Sequence, residues 1–295
     1  MIDGFAVVDK PAGMTSHDVV ARCRKLFGQK RVGHAGTLDP DATGVLVIGL
    51  GRATRLMQFA SGLDKSYTAE VVLGAATTTL DASGEVVGRW DQRHVTLEEA
   101  RAAAASLTGR VLQVPPMVSA LKVGGRRLHE LARAGIEVDR PAREVTVSRF
   151  AVDLAAGAPV ADGEGPVLSV EVDCSSGTYV RVLAADLGAA LGGGAYLRRL
   201  RRTAVGPWTD AVAGPLGRLG PVDVIPPASA LPWLERATVD AALASAVAHG
   251  RVLERSALGV AGDGPWCVLD RSGELLAVYK GHAGGLARPA VVLAP

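Results

Sequence analysis

The strongest constraint on the fold of this chain is the alternation of apolar and polar residues within Val167–Cys174, the cleanest in the sequence. The apolar side chains that share one face are Leu168, Val170, Val172 and Cys174, and the polar ones opposite are Ser169, Glu171 and Asp173. Because successive side chains of a strand point to opposite faces, this period of two predicts a strand with one buried face. A helix is predicted to follow at Tyr179–Leu191 and to end at the run Gly192–Gly194.

Other strands and helices are mixed along the chain without a steady alternation. Strands are predicted at Phe5–Val8, Val45–Leu50 and Tyr67–Leu73. One helix is predicted to begin after Thr15 or Ser16, and another to follow the capping box Thr96–Glu99 and to end at Gly109. Because no regular strand–helix–strand order emerges, we predict an α+β fold and not a doubly wound parallel sheet.

The length of 295 residues suggests one large and one small domain. The stretch Gly206–Pro232 is rich in Gly and Pro, which is typical of a domain boundary. We therefore predict domains at residues 1–230 and 231–295. In the second, a helix is expected at Ala241–Val247 and short strands near Trp266–Leu269, Leu275–Tyr279 and Ala290–Leu293.

Composition narrows the class of protein. Hydrophobic residues make up 48% of the chain, which is enough for a packed core and argues against disorder. The longest aliphatic stretches, such as Val45–Ile48, are too short to span a bilayer, and Asp3 and Asp9 do not suit a signal peptide. The three Cys are scattered and form no C-x-x-C pair, so neither a disulfide framework nor a zinc site is predicted. We expect a cytoplasmic protein.

Positive charge is concentrated locally, although the net charge is only +2. Between Arg181 and Arg218 lie six Arg against two acids, whereas six bases and six acids balance from Leu231 to the end. A local basic patch is typical of nucleic-acid binding, and a solvated charged face is the other interpretation of any one cluster.

The loop Gly33–Gly44 is the most informative segment. Its glycines let backbone approach a ligand closely, and Pro40 biases Asp39 away from the helical region. Asp39 would then lie on a shaped loop just before a buried strand, where catalytic side chains are common. The same pattern is also typical of a plain turn, because Asp-Pro is a favoured turn opening.

A second candidate is Arg181, in the segment Cys174–Arg181. If Thr178 or Ser176 caps the following helix, Arg181 lies in its first turn, where the helix dipole disfavours a cation by roughly 0.3–1 kcal/mol. An Arg in that position would gain most from a nearby carboxylate, for which Asp39 is the candidate. The alternative is that Arg181 points to solvent.

These segments carry a resemblance to the TruB-type tRNA pseudouridine synthases, which modify uridine 55 in the T loop of tRNA. The matching stretches are Phe5–Gly13 with Thr15 and Ser16, Gly33–Gly44 and Cys174–Arg181, and weaker matches are Gly51–Thr54, Lys65–Tyr67, Pro116–Lys122 and Leu197–Arg202. They run in the family's order over about residues 4–210. The resemblance implies a pseudouridine-synthase fold: a central mixed, largely antiparallel sheet flanked by helices, an active-site cleft and a small, β-rich, PUA-like C-terminal domain.

The resemblance also implies roles for individual residues. Asp39 matches the catalytic carboxylate, which would attack ribose C1′ or stabilise positive charge there; attack on the uracil ring is the other proposal. Arg181 matches the Arg that pairs with this carboxylate. Tyr67 matches the active-site Tyr, whose ring would stack on the flipped uracil and whose hydroxyl would relay the C5 proton.

Further residues are expected to bind the RNA or to support the site. Tyr179 is expected to line the pocket and His34 to occupy space that the flipped base leaves, with a structural role in its own loop as the alternative. Lys10 is expected to brace the catalytic loop more than to touch RNA, and Asp81 is retained as a weak candidate from an incomplete family motif. The candidates for phosphate contacts are Lys30, Arg31, Lys122, Arg126, Arg127 and the cluster Arg198–Arg202, which includes Arg199 and Arg202.

The implied partner is the T-arm stem-loop of tRNA, bound by a monomer without a guide RNA, a membrane, a metal or a cofactor. Two alternatives remain: a guide-RNA-dependent pseudouridine synthase subunit, and a tRNA-binding or tRNA-folding protein without catalysis. A phosphate-loop NTPase is disfavoured because the glycines around His34 lack the Lys-Ser/Thr pair that holds nucleotide phosphate.

Overall fold

The computed structural model describes residues 1–119, 121–157 and 165–293. Within them the helices are α1 (Ser16–Leu26), α2 (Met57–Ser61), α3 (Leu97–Ser106), α4 (Leu128–Arg133), α5 (Val180–Ala190), α6 (Ala241–Ala248) and α7 (Arg255–Leu258). The strands up to residue 215 are β1 (Gly4–Lys10), β2 (Val32–Ala35), β3 (Thr43–Leu50), β4 (Lys65–Leu73), β5 (Ala75–Thr77), β6 (Val86–Arg89), β7 (Gly109–Gln113), β8 (Lys122–Val123), β9 (Arg126–Arg127), β10 (Arg143–Leu154), β11 (Val167–Cys174), β12 (Ala195–Val205), β13 (Trp208–Thr209) and β14 (Gly214–Pro215). The later strands are β15 (Glu235–Thr238), β16 (Leu253–Glu254), β17 (Trp266–Leu269), β18 (Leu275–Gly281) and β19 (Leu286–Val292).

A large mixed sheet forms the body of the protein, in the order β14-β1-β3-β12-β4-β11-β10-β7. Neighbouring strands of this order are antiparallel except for the pairs β1–β14 and β3–β12. The alternation from Val167 to Cys174 forms β11, whose apolar side chains are buried in the core cluster. The predicted α+β class is therefore confirmed.

The predicted helix starts are mostly confirmed by their caps. Thr15 and Asp18 form the capping box of α1, and Thr96 and Glu99 form that of α3. The helix α3 ends at Ser106 and not at Gly109. The cap of α5 was wrongly assigned to Thr178 or Ser176: its N-cap is Tyr179, whose side chain makes no capping hydrogen bond.

The loop predicted at Gly33–Gly44 is shorter than expected. Residues 33–35 belong to β2, which pairs with β3 in an antiparallel ladder that places His34 opposite Ile48. The β-branched and aliphatic residues of β3 supply a partner that overrides the glycine-rich character of this stretch. The irregular loop is thus confined to residues 36–42.

A smaller sheet, in the order β15-β17-β18-β19-β16, follows along the chain. Between the two sheets, the Gly- and Pro-rich stretch remains bonded to the large one, because β14 pairs with β1 and Ile225 bridges Phe5. One core cluster contains side chains of both sheets, among them Val47 of β3 and Leu275 of β18. The division of the chain at residue 230 stays a prediction.

Register explains why distant segments meet at one edge of the large sheet. Thr43 at the start of β3 lies opposite Arg201 near the end of β12, and Arg202 lies opposite Tyr67 near the start of β4. Lys65 of β4 in turn lies opposite the last residue of β11, Cys174. The loop before β3, the start of β4 and the segment after β11 therefore converge.

Candidate active site

Asp39 projects from the loop of residues 36–42, and hydrogen bonds hold the residues before and after it in the chain. The Ser16 hydroxyl accepts a hydrogen bond from the Leu38 amide at 2.9 Å and donates one to its carbonyl at 3.1 Å. The Lys10 ammonium donates to the Pro40 carbonyl at 2.8 Å. Because residues on each side of Asp39 are fixed by buried groups, its carboxylate is held in one place.

Lys10 supports this loop from the protein interior and does not reach the cleft. Its side chain is fully buried and also donates to the carbonyls of Pro11 at 2.9 Å and Met14 at 2.6 Å. Burial lowers the pKa of Lys10 to about 8. These contacts agree with the expected bracing role of Lys10, and its place among the substrate-binding residues stays a prediction that its burial does not favour.

Arg181 joins Asp39 to three other acceptors. Its guanidinium lies 3.1 Å from Asp39 through Nε and Oδ2, and 3.2 Å from Asp81 through Nη1 and Oδ2. It also donates to the Val118 carbonyl at 2.8 Å and to the Thr79 carbonyl at 3.0 Å. The side chain is only 5% exposed, so the alternative of a solvent-facing Arg181 is excluded, and the expected ion pair with Asp39 is present.

The electrostatic environment of Asp39 combines opposing influences. Desolvation raises the pKa of the carboxyl group, the Arg181 guanidinium lowers it, and the negative charge of Asp81 raises it again, with a net upward shift. The carboxylate still keeps 42% of its side-chain area exposed toward the cleft. It is therefore both held by Arg181 and accessible to a substrate.

A cavity of about 270 Å³ opens beside this ion pair. Its lining includes Asp39, Tyr67, Tyr179, Arg181 and Arg202. Ligand pockets combine apolar walls with a few convergent polar groups, and this cavity has both. Five of the predicted site residues thus converge, although they come from four separate segments of the chain.

Tyr67 is the most buried aromatic group at the cavity. It is 9% exposed, and burial raises the pKa of its phenol, while the positive charge of the neighbouring Arg202 opposes that shift. Tyr67 is consequently protonated at neutral pH and can act first as a donor.

The remaining predicted residues divide by position. Arg198 and Arg199 lie with Asp81 in a groove that adjoins the cavity and shares Asp39 and Arg181 with it. Both arginines are close to Glu70, at 2.9 Å and 3.4 Å, and Arg199 is 77% exposed. Their assignment as contacts of RNA phosphates stays a prediction, which the exposure of Arg199 favours more than that of Arg198, 19% exposed.

Other members of the predicted set lie apart from the cavity or differ from expectation. Arg202 is 1% exposed, and its assignment as a phosphate contact stays a prediction that this burial does not favour. His34 is partly exposed on β2, and its ring stacks edge-on against His17 with centroids 5.4 Å apart. The side chain of Lys122 lies outside the described residues.

Three residues support the site although the sequence analysis did not predict that role for them. Ser16 clamps Leu38, Lys65 lines the cavity and donates to the Ser61 carbonyl at 2.7 Å, and Gln113 binds the Tyr179 backbone through both ends of its amide. Ser16 and Lys65 lie within the matched motifs, which was the available signal. Gln113 gave none, since its partner is 66 residues away.

The described residues contain no group of three or more His, Cys, Asp and Glu side chains that could hold a metal ion. The three Cys are buried free thiols, as their scattered spacing predicts. No helix within the described ranges is long and apolar enough to cross a membrane.

Comparison with known proteins gives a consistent set of matches. Residues 24–180 match the family model described as TruB family pseudouridylate synthase, N-terminal domain. The chain is 49% identical to tRNA pseudouridine synthase B of Rhodococcus jostii, over 99% of this chain and 94% of that one. It is 46% identical to the protein of the same name from Thermobifida fusca, over 100% and 99% of the two chains.

Solved structures agree on the fold. A chain in the crystal structure of a Cbf5–Nop10–Gar1 complex superimposes with a TM-score of 0.72 at 24% identity, covering 99% of this chain and 85% of that one. A chain of the archaeal box H/ACA sRNP Nop10–Cbf5 complex gives a TM-score of 0.69 at the same identity, covering 99% and 86%. The predicted fold, with its mixed sheet and β-rich C-terminal part, is thereby confirmed.

Proposed function

Because the chain belongs to the TruB family and is a tRNA pseudouridine synthase, we propose that it isomerises uridine 55 in the T loop of tRNA. The observation that carries the proposal is the Asp39 carboxylate, held at 3.1 Å by Arg181 and exposed beside a nucleoside-sized cavity. An ionised carboxylate in that position is suited to meet an anomeric carbon.

The chemistry proposed for this site is an isomerisation in which no atom is gained or lost. The bond between N1 of uracil and C1′ of ribose breaks with Asp39 as nucleophile or counter-charge, and its electron pair leaves with the uracil. After rotation of the ring, C5 bonds to C1′, and where Asp39 had bonded to C1′ that bond breaks and its electron pair returns to the carboxylate. The proton lost from C5 and the one gained at N1 balance, and the Tyr67 hydroxyl is the relay within reach of the cavity.

The substrate must present an extruded base. A uridine stacked within a folded T loop cannot place C1′ against Asp39, so the nucleotide has to be flipped into the cavity. The rings of Tyr67 and Tyr179 line that cavity and offer stacking surfaces. His34, partly exposed on β2, is proposed to fill space that the base vacates, and Arg198 and Arg199 to contact phosphates.

The proposed partner is tRNA alone. The structural neighbours come from complexes with accessory proteins, but relatives of 45–49% identity over nearly their whole length carry the name of a tRNA enzyme. We therefore propose that the chain works as a monomer in the cytoplasm, where tRNA is modified, without a guide RNA.

The test is to incubate the purified full chain with unmodified tRNA, and separately with a T-arm minihelix, and to map pseudouridine at single-nucleotide resolution. We expect pseudouridine at position 55 in both RNAs and none in a control tRNA that carries cytidine there. Modification only after addition of a guide RNA, or at another position, would contradict the proposal. Tight binding without any pseudouridine would instead favour the RNA-folding role.

A further inference from the structure

A buried guanidinium under the cavity has no part in the chemistry described so far. Arg202 lies near the end of β12, is 1% exposed and lines the cavity together with Tyr67. Placing a cation there is costly unless hydrogen bonds satisfy it. Its burial therefore requires hydrogen-bond acceptors close to the guanidinium.

Two such acceptors belong to the catalytic loop and to the strand that follows it. The Nε of Arg202 donates to the Val45 carbonyl at 2.7 Å, and Nη2 donates to the Gly36 carbonyl at 3.1 Å. Gly36 has a φ of +77° and lies close enough that an added Cβ would stand 3.5 Å from Nη1. One side of the guanidinium thus holds the first residue of the loop that carries Asp39.

Tyr67 is the third neighbour of the guanidinium. Arg202 and Tyr67 are directly opposed in the antiparallel ladder between β12 and β4, so their side chains share one face of the sheet. Both side chains line the cavity, and the positive charge of Arg202 lowers the pKa of the phenol. Arg202 is therefore a bridge between the loop of Asp39 and the hydroxyl proposed to move the C5 proton.

The charges around Tyr67 indicate what the bridge does. Burial raises the pKa of Tyr67, and the nearby Cys174 and Asp39 also raise it, whereas Arg202 lowers it. Lys65 lies two residues along β4 on the same face, and burial together with Arg202 lowers the pKa of its ammonium to about 8. Among these neighbours, Arg202 is the group whose charge favours a negative phenol oxygen.

We propose that Arg202 is a positioning residue that polarises the Tyr67 hydroxyl for proton transfer while it fixes the catalytic loop at Gly36. The proposal rests on the proposed function in so far as Tyr67 is the proton relay. A lysine cannot replace it fully, since one ammonium on a flexible stem does not reproduce the planar fork that donates to both Val45 and Gly36 beside Tyr67.

The test is a double-mutant cycle in the full chain that combines Arg202→Met with Tyr67→Phe. In single-turnover assays on unmodified tRNA, Arg202→Met should slow pseudouridine formation by about a hundredfold, the lower range of proton-transfer catalysis, with tRNA affinity within about threefold. In the Tyr67→Phe background the same change should cost less than about threefold. An equal factor in both backgrounds would overturn the proposal, because Arg202 would then act on the fold alone.

A second readout needs no turnover. The chain has four Tyr, so ¹³C labelling at the Tyr ring carbon that bears oxygen gives few signals, and Tyr67→Phe assigns the one of interest. Arg202→Met should shift that signal at neutral pH and move any titration of it to higher pH; an unchanged signal would refute the bridge. Arg202→Lys, the conservative variant if Met prevents folding, should restore part of the shift, and Arg149→Met on β10 should leave it in place. Absence of pseudouridine in the unmodified protein would instead count against the proposed function.

Discussion

At the level of single residues, Arg181 organises the site. Its guanidinium binds two carboxylates and two carbonyls that lie up to 142 residues from Arg181 in the chain. Arginine suits this task, because its planar fork presents five donors and stays charged at every relevant pH. The two carboxylates compete for one cation, which couples the charge of Asp81 to the behaviour of Asp39.

Replacing Asp81 with Asn should change how activity depends on pH. The negative charge of Asp81 raises the pKa of Asp39, so its removal lets Arg181 lower that pKa further. A carboxylate must be ionised to act, and the acid limb of the pH–rate profile should therefore move to lower pH. A weaker base is also a poorer nucleophile, so the plateau should fall by about tenfold.

The control for that change is Asp91→Asn, which removes an exposed Asp paired with Arg93. Surface ion pairs of this kind contribute little free energy, so the acid limb of the pH–rate profile and the height of its plateau should both be unchanged. If Asp81→Asn leaves the limb unmoved or shifts it to higher pH, the electrostatic coupling described for the two carboxylates is wrong.

Replacing Lys10 with Met should reveal a pH-dependent stability. The pKa of Lys10 is about 8 in the fold, below its ordinary value of 10.5, so the unfolded chain binds more protons between these values. Stability attributable to Lys10 therefore rises as pH increases through that window. Urea unfolding should show the difference between wild type and Lys10→Met growing from pH 8 to pH 10 in favour of the wild type.

An exposed lysine provides the comparison. Lys25→Met removes a solvent-facing ammonium from α1 and should give a difference from wild type that is flat over the same pH range. A flat difference for Lys10→Met as well would mean that the buried ammonium is not destabilised in the fold.

At the level of elements, pattern predicted what depends on local sequence. The period of two located β11, the cap at Thr15 or Ser16 located the start of α1, and the Thr-x-x-Glu box located the start of α3. The local pattern failed where a distant partner contributes to the structure. The strand β2 pairs with β3, and the N-cap residue of α5 is Tyr179, whose backbone is bound by Gln113.

The same distinction applies to the candidate site. Resemblance names Asp39, Tyr67 and Arg181, which the structure brings together at one cavity. It also counts Arg202 among the phosphate contacts, because a basic cluster in sequence does not show which members face inward. On β12, alternation turns Arg202 into the core while Arg199 remains exposed. Bulges in the β12–β4 ladder at Leu197/Arg199 and Arg202/Ala204 make that alternation unreadable from sequence alone.

Two glycines test how tightly the catalytic loop is joined to the sheet. Gly44, with φ +99°, follows the loop, and an added Cβ would lie 2.2 Å from the Arg202 carbonyl oxygen. Gly13 has φ +79°, but an added Cβ there would meet nothing within 4 Å. Gly13→Ala should cost about 1 kcal/mol of unfolding free energy from backbone strain, and Gly44→Ala clearly more because the sheet must also shift. Similar losses in urea unfolding would show that the approach of β12 to Gly44 is not tight.

At the level of the whole molecule, the two sheets share a hydrophobic core. Phe5 and Val47 of the large sheet pack in one cluster with Leu275 and Val291 of the small one. Arg52 adds a polar link, because it pairs with Asp3 at 2.7 Å and donates to the Leu293 carbonyl at 2.7 Å. We therefore expect the C-terminal part to contribute stability to the catalytic part.

Leu275→Ala should test that expectation. Truncating a buried Leu costs about 2–5 kcal/mol, and a shared core should transmit the loss to the entire chain as one thermal transition at lower temperature. Val252→Ala, at a position that is 49% exposed, should leave the transition nearly unchanged. Two separate transitions, with only one of them lowered by Leu275→Ala, would show that the sheets unfold independently.

The central claim is that the Asp39 carboxylate performs the chemistry, and a single substitution tests it most directly. Asp39→Asn keeps the size of the side chain, while Asp41→Asn removes a carboxylate from the same loop as a matched control. Single-turnover assays on unmodified tRNA should show no pseudouridine at position 55 with Asp39→Asn, tRNA affinity within about threefold of wild type, and turnover retained with Asp41→Asn. Pseudouridine formed by Asp39→Asn at the wild-type rate would contradict the account.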